Sequence, residues 1–200
     1  MTAFLLGLTG SIGMGKSTTA GFFAEAGLPV WDADQAVARL YGPNGRAVGP
    51  VAALCPAAKI NGQIDRAALK RWIAADPTAL TQLEQVVHPL VAADRAAFIS
   101  AQTSDIIVLD VPLLFETGAD ATMDATLVVT APPDILRARV LARPGMTEAQ
   151  FQTLLARQMP DADKRVRATH VIQTNTPDQT RAAVRALIAS IRARHAPDRA

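Results

Sequence analysis

The 200-residue sequence predicts an α/β fold, in which a parallel five-stranded sheet is flanked by helices. Five short apolar segments have the character of strands, and stretches with helical spacing separate them. Glycine and polar residues directly follow the first three strands, and ligands of parallel sheets bind at the carboxyl ends of strands. A chain of this length, 50% of it hydrophobic, can form one domain with inserted lobes.

Strand and helix signals alternate along the chain. The first strand is predicted over Phe4–Thr9 and the first helix over Lys16–Ala26, where Gly27 ends it. Residues 35–102 have mainly helical spacing, because apolar residues recur every three or four positions between prolines. The other predicted strands are residues 29–31, 106–109, 126–129 and 171–172, and the other predicted helices are Pro133–Leu141, Glu148–Arg157 and Asp178–Arg194.

Composition and charge exclude several classes of protein. The formal net charge of +2 is too small to indicate a nucleic-acid-binding protein, so we expect no nucleic-acid partner. The single cysteine, Cys55, excludes an intramolecular disulfide and a multi-cysteine metal site, as is typical of a reducing compartment. No apolar run approaches the ~20 residues of a membrane span, and no basic segment of a secretory signal precedes the first strand. We therefore expect a cytoplasmic protein with no membrane partner.

The segment Gly10–Ser17 fits the pattern G-x-x-x-x-G-K-[ST] without a mismatch, between a strand and a helix. Glycines allow backbone N–H groups to turn inward around an anion, and the helix start adds further donors. Lys16 can contact the β and γ phosphates, and Ser17 can offer its hydroxyl to Mg²⁺. An ordinary glycine-rich turn before a helix is the alternative. The residues predicted here to bind a nucleotide triphosphate are Ser11, Ile12, Gly13, Met14, Gly15, Lys16, Ser17 and Thr18.

Two carboxylates, Asp32 and Asp34, follow the second predicted strand and are expected within reach of the nucleotide. In a small-molecule kinase one carboxylate can deprotonate an acceptor hydroxyl while another supports the metal shell. Capping of a helix that begins near Gln35 is the alternative, and it explains Asp34 better than it explains the pair. A GTPase is not indicated, because the guanine-reading pattern N-K-x-D is missing from the sequence.

A basic segment covers residues 137–167, with seven basic and three acidic side chains. Of the 20 basic residues in the chain 16 are Arg, the side chain suited to bidentate phosphate contacts. Arg139 and Arg143 are four residues apart, on one helix face or at its fraying end. Such a segment could close over phosphates and exclude water. A solvated basic surface is the alternative for most of these arginines.

Taken together, these motifs resemble the dephospho-CoA kinase family over nearly the whole chain. The motifs that carry the resemblance are LTGSIGMGKST at Leu8–Thr18, VWDAD at Val30–Asp34, HPL at His88–Leu90, VPLLFE at Val111–Glu116, R-x-x-x-R at Arg139–Arg143, and single residues at Gln158 and Asn175. The phosphate loop alone would not distinguish this family from other small kinases. Its combination with the other motifs is specific.

The resemblance implies a P-loop kinase fold with a core (residues 1–34, 103–136 and 168–200), a helical acceptor-binding lobe (35–102) and a lid (137–167). It implies transfer of a phosphoryl group from ATP to the ribose 3′-hydroxyl of dephospho-CoA, with Mg²⁺. We expect the protein to be a monomer or weak homo-oligomer. Asp34, Lys16, Arg139 and Arg143 would be catalytic, and Ser17 and Asp32 would hold the metal. Asn175 would lie near the adenine, and the acceptor would be bound by Asp32, Asp34, His88, Pro112, Leu113, Leu114 and Glu116.

Some residues depart from the family pattern or allow another role. Thr169-His170 stand where the family often has alanine-aspartate, and Thr176 stands where it often has glycine, which weakens the assignment of Asn175. For His88 a structural role at a packed helix junction is favoured over a role as base, because Pro89 and the apolar Leu90-Val91 follow it. Two other functions stay open: a kinase acting on a nucleoside monophosphate or a polyol, and a non-enzymatic nucleotide-binding switch.

Overall fold

The computed structural model describes residues 3–156 and 158–195. The chain divides into two compact units, one formed by the described parts of Met1–Val30 and Thr103–Ala200, the other by Trp31–Gln102. The strands are β1 (Phe4–Thr9), β2 (Val30–Asp32), β3 (Lys59–Ile60), β4 (Gln63–Ile64), β5 (Ile106–Asp110), β6 (Ala125–Thr130) and β7 (His170–Gln173). The helices are α1 (Lys16–Glu25), α2 (Ala33–Tyr41), α3 (Val48–Leu54), α4 (Arg66–Ala75), α5 (Ala79–Ser100), α6 (Pro133–Leu141), α7 (Glu148–Ala156), α8 (Asp161–Arg167) and α9 (Pro177–His195).

The main sheet has five strands in the order β2-β5-β1-β6-β7, and the pairs of β1 with β5 and β6, and of β6 with β7, are parallel. Every residue of β5 and β6 is buried, as expected for parallel strands that are covered on both faces. The predicted α/β fold with a five-stranded parallel sheet and flanking helices is therefore confirmed.

The core of the first unit lies between this sheet and its helices. Leu6, Leu8 and Leu127 of the central strands are fully buried and belong to one apolar cluster with Phe23 of α1 and Ile191 of α9. Truncation of such a side chain to alanine costs roughly 2–5 kcal/mol, because the transfer energy is lost and a cavity is left. The long amphipathic α9 is therefore an integral part of the core that supports β1.

Several predicted boundaries differ from the structure by a few residues. The limits of β1 and α6 were predicted correctly, but α1 ends one residue earlier than predicted, at Glu25. The helix expected to begin near Gln35 is α2, which begins two residues earlier, at Ala33. The predicted last residue of α7, Arg157, lies outside the described residues. The short α8 was not predicted at all.

The second unit consists of α2–α5 and the hairpin β3-β4. Its apolar core is formed by residues such as Leu40, Val51, Ile64 and Leu83, and it includes Cys55, which is 6% exposed. The hairpin was missed by the helical interpretation of residues 35–102. Its turn residues Asn61 and Gly62 have φ angles of 50° and 76°, the left-handed pair that a two-residue hairpin turn requires.

The helix α5 passes through Pro89 without a break. Proline lacks an N–H, so the helical hydrogen bond to the carbonyl four residues earlier is missing at this point. His88 and Pro89 are both exposed, and the predicted packed junction at His88 is therefore wrong.

Among the described helices, none combines the length and the apolar character that crossing a bilayer requires.

Candidate active site

The segment Gly10–Ser17 connects β1 to α1, as the sequence predicted. Gly13 and Gly15 have φ angles of +81° and +82°, in the region that L side chains rarely adopt. A Cβ at Gly10 would lie 2.6 Å from Val129 Cγ2, so only glycine allows the loop to pass this close to β6. Ser17 and Thr18 are exposed in the first turn of α1, where backbone N–H groups have no helical acceptor.

Contacts from three parts of the chain fix the shape of this loop. The Met14 N–H donates to the Ser11 carbonyl at 3.1 Å, and the Thr19 N–H donates to the Gly15 carbonyl at 3.0 Å. The Met14 sulfur accepts from the Ala131 N–H at 3.0 Å. The loop is therefore rigid at its buried side, while the start of α1 stays open to a ligand.

Lys16 is paired with a carboxylate that the sequence reasoning had not assigned a role. Its Nζ atom lies 2.5 Å from Oδ1 of Asp110, the last residue of β5, and the Asp110 side chain is 1% exposed. A buried charge is stable only when it is paired, and the strand neighbouring β1 supplies the partner. The signal in the sequence is the apolar run Ile106–Leu109 that ends in an aspartate.

Arg139 is tied to the end of β7. Its Nη1 and Nη2 atoms donate to Thr174 Oγ1 at 3.2 Å and to the Thr174 carbonyl at 2.6 Å. Arg143 lies two residues beyond the last residue of α6, Leu141, and is exposed. The two arginines therefore do not share one helix face.

Asn175, the residue predicted to lie near the adenine, is exposed. Its neighbour Thr174 is 4% exposed and contacts the phosphate loop.

Two departures from the family pattern have structural roles. Thr176 Oγ1 accepts from the Gln179 N–H at 3.3 Å, at the start of α9. Thr169 exchanges two backbone-to-hydroxyl hydrogen bonds with Thr126, which joins the start of β7 to β6.

The segment after β5 contains the predicted acceptor residues 112–116. Thr9 Oγ1 donates to the Pro112 carbonyl at 3.1 Å, which holds the segment against the end of β1. Leu113 is 41% exposed, whereas Leu114 is fully buried and packs beside Gly7. Of the two leucines, only Leu113 has a side chain that is accessible from solvent.

Glu116 forms an ion pair with Lys164 of α8, with 2.9 Å between Oε1 and Nζ. The Lys164 side chain is fully buried, so it does not belong to a solvated basic surface. Burial raises the pKa of Glu116, but its ion pair with Lys164 and the hydrogen bond from the Met159 N–H hold it below the ordinary value. Next to Met159, Gln158 Oε1 accepts from the Ile12 N–H at 3.0 Å. The segment 158–164 thus joins Glu116 to the phosphate loop.

The acidic pair lies in the second unit. Asp32 caps α2, because its Oδ1 atom accepts from the Gln35 N–H at 2.9 Å. Asp34 lies in the first turn of the same helix and is exposed. The capping residue is therefore Asp32 and not Asp34, so capping does not account for the second carboxylate.

A magnesium ion is implied by the family resemblance. Among residues 3–156 and 158–195, no group of three or more His, Cys, Asp or Glu residues could hold a metal ion alone. Mg²⁺ at phosphate-transfer sites is usually held by one or two protein oxygens together with phosphates and waters. The exposed Ser17 hydroxyl and the Asp110 carboxylate, which pairs with Lys16, carry oxygen atoms of the kind that Mg²⁺ prefers.

Known proteins share the sequence pattern and the fold of this chain. Residues 4–179 match the family described as Dephospho-CoA kinase. A dephospho-CoA kinase of Cereibacter sphaeroides is 66% identical over 96% of this chain and 98% of its own length. A crystal structure from Thermus thermophilus is 34% identical, with a TM-score of 0.85 and coverage of 96% and 99% of the two chains.

A dephospho-CoA kinase structure from Campylobacter jejuni, 21% identical over 94% of this chain and 96% of its own, has the same fold with a TM-score of 0.69. The resemblance stated from the motifs is confirmed by the family match, which extends from β1 into the start of α9. The chain belongs to the dephospho-CoA kinase family.

Proposed function

We propose that this chain transfers the γ-phosphoryl group of ATP to the ribose 3′-hydroxyl of dephospho-CoA and so forms coenzyme A. The observation that carries the proposal is the complete phosphate loop, with Lys16 held by Asp110, in a chain that belongs to this family. In the reaction the 3′-oxygen forms a bond to the γ-phosphorus. The bond from that phosphorus to the bridging oxygen breaks, and ADP leaves.

The ATP phosphates are bound by the loop Gly10–Ser17. Its left-handed glycines and the first turn of α1 provide backbone donors, and Lys16 provides a positive charge. Mg²⁺ would be held by the Ser17 hydroxyl and by an acidic side chain, and it would neutralise charge on the β and γ phosphates. Asp110 is a candidate for that side chain besides the earlier candidate Asp32, since Asp110 lies beside Lys16.

Asp34 is the proposed base for the 3′-hydroxyl. It is exposed, it does not cap its helix, and it follows Asp32 in the first turn of α2. The hydrogen bond from Gln35 to Asp32 fixes the helix start and thereby the position of Asp34. The base would accept the proton that leaves the hydroxyl as the new phosphorus–oxygen bond forms.

The predicted lobes remain part of the proposal. The compact unit Trp31–Gln102 supports a separate acceptor-binding lobe, with His88 exposed on its long helix α5. Arg139 and Arg143 would contact phosphates from the segment 137–167, and Pro112 and Leu113 would contact the acceptor. We also propose that the protein acts in the cytoplasm, as a monomer or weak homo-oligomer, with no nucleic-acid partner.

Incubation with Mg-ATP and dephospho-CoA, followed by mass spectrometry, tests the proposal. We expect coenzyme A from the wild type and at least about 100-fold less from Lys16→Met, since one electrostatic donor contributes about that factor. Arg185→Met, which removes an exposed positive charge from α9, is the control and should retain full activity. Preference for a nucleoside monophosphate or polyol in an acceptor panel would contradict the proposal, as would ATP binding without turnover of any acceptor.

A further inference from the structure

The hydroxyl group of Thr174 makes three contacts at the buried side of the phosphate loop. Its Oγ1 atom donates to the Met14 carbonyl at 2.7 Å, lies 3.2 Å from the Thr130 carbonyl, and accepts from Arg139 at 3.2 Å. The Thr130 carbonyl already accepts the Thr174 N–H at 2.8 Å. The shorter contact, to Met14, is therefore the main one for the single hydroxyl hydrogen.

The Met14 carbonyl belongs to the peptide that joins Met14 to Gly15. In a planar trans peptide the carbonyl and the next N–H point in opposite directions. A hydrogen bond that holds the Met14 carbonyl towards Thr174 therefore directs the Gly15 N–H away from Thr174. Gly15 has no side chain to restrict its rotation, and its φ of +82° is a conformation that glycine enters and leaves readily.

Packing adds to this restraint. A Cβ at Gly15 would lie 3.1 Å from Thr174 Oγ1 and 3.2 Å from Thr174 Cβ, so the threonine lies directly against the glycine backbone. The Met14 side chain is anchored separately by the Ala131 N–H. Without the Thr174 hydroxyl, Met14 would keep its buried side chain but its carbonyl would lose its principal partner.

We propose that Thr174 is a positioning residue for nucleotide binding: it fixes the Met14–Gly15 peptide in the orientation that presents the Gly15 N–H to the phosphates. Arg139 supports the same hydroxyl, so the arginine acts on the loop through Thr174 as well as through any contact with phosphate. The inference rests on the proposed function only in that the loop binds ATP. It does not depend on which acceptor is phosphorylated.

The experiment compares Thr174→Val, which keeps the shape but lacks the hydroxyl, with Thr174→Ser, which keeps the hydroxyl. Thr180→Val is the matched control, because Thr180 is 2% exposed and its hydroxyl donates to the Thr176 carbonyl, just before α9. Affinity for a non-hydrolysable ATP analogue is measured by calorimetry, together with KM for ATP and for dephospho-CoA, at a temperature well below each Tm.

We expect Thr174→Val to weaken binding of the analogue and to raise KM for ATP about five- to tenfold, the effect of one well-placed hydrogen bond. KM for dephospho-CoA should stay within twofold of the wild type, and Thr174→Ser and Thr180→Val should bind the analogue as the wild type does. Equal affinity of Thr174→Val and wild type would overturn the inference. So would failure of Thr174→Ser to restore binding, or an equal loss in Thr180→Val. A wild type that binds no ATP analogue would instead overturn the proposed function.

Discussion

Lys16 and Asp110 form an ion pair with 2.5 Å between Nζ and Oδ1, although 94 positions separate them in the sequence. Because Asp110 pairs with the lysine and is a proposed ligand of Mg²⁺, Asp110→Asn should lower kcat by roughly 100-fold or more. It should also raise the Mg²⁺ concentration that gives half-maximal rate. Initial rates over a Mg²⁺ titration measure both effects.

Asp105→Asn is the control for this variant, since Asp105 lies just before the same strand and pairs with Arg192 on the surface. It should have wild-type kinetics. An Asp110→Asn enzyme with an unchanged Mg²⁺ dependence would remove Asp110 from the proposed metal shell.

The roles proposed for Asp32 and Asp34 predict different effects of replacing each with asparagine. Asp34→Asn should lower kcat by about 10²–10⁴-fold, the usual contribution of a general base, while ATP affinity stays near normal. Asp32→Asn should fold normally, because asparagine caps helices about as well as aspartate. Steady-state kinetics and calorimetry with ATP distinguish the two variants. If Asp34→Asn retains its turnover, another group accepts the proton.

Arg139 can be compared with Arg137, which lies on the same helix, α6. Arg139→Ala should lower kcat/KM for ATP by about 100-fold, through lost phosphate contacts and a less restrained Thr174. Arg139→Lys should restore little of it, because lysine cannot make the two-pronged contact with Thr174. Arg137→Ala, which removes an exposed pair with Glu148, should leave the kinetics unchanged. Equal losses in Arg137→Ala and Arg139→Ala would point to general damage to α6.

The ion pair between Glu116 and the buried Lys164 should contribute to the stability of the fold. Glu116→Gln should lower the free energy of unfolding by about 3 kcal/mol, because it leaves a buried ammonium without a counter-charge. The pKa of Glu116 is lowered by folding, so its contribution is present above the ordinary value of 4.5 and is lost as the pH falls through the lower folded value. Denaturant unfolding of wild type and variant should therefore converge in acid.

Two further variants check the cause of that effect. Glu116→Gln combined with Lys164→Met should recover much of the lost stability, since an apolar residue tolerates the buried position. Glu148→Gln, at an exposed pair, should have no measurable effect. Loss of acceptor affinity in Glu116→Gln without loss of stability would support the earlier substrate-binding role instead.

The lowered pKa of His170 predicts how stability depends on pH in a milder range. Burial lowers the pKa of His170 and the nearby Arg194 charge lowers it further. The unfolded chain therefore binds a proton more readily, so stability falls as the pH drops below the ordinary value of 6.5 through the folded value. His170→Gln should flatten the dependence of unfolding free energy on pH in this window. Parallel curves for wild type and variant would contradict the assignment.

Local patterns predicted the features that depend on neighbouring residues. The phosphate loop and the limits of β1 and α6 follow from glycine positions, apolar periodicity and proline. The helix α8 was missed because seven mostly charged residues carry no apolar period, and its position depends on Lys164 reaching Glu116. Sequence statistics place lysine at the surface, so the complete burial of Lys164 had no local signal.

The long-range contacts of the site were also beyond sequence reasoning. Thr174 reaches Met14 across 160 positions, and a threonine after a strand has no feature that distinguishes it from a loop residue. The motif drew attention to Asn175 instead. His88 was expected to pack because proline follows it, but a proline on the exposed side of a long helix can be accommodated without ending that helix.

The burial of Cys55 gives the protein an internal reporter. It is the only cysteine in the sequence and its thiol lies in the core of the unit Trp31–Gln102. A thiol-reactive reagent can reach it only when that core opens, so the labelling rate measures local opening of this unit independently of the sheet. Slower labelling in the presence of dephospho-CoA would support the proposal that this unit binds the acceptor.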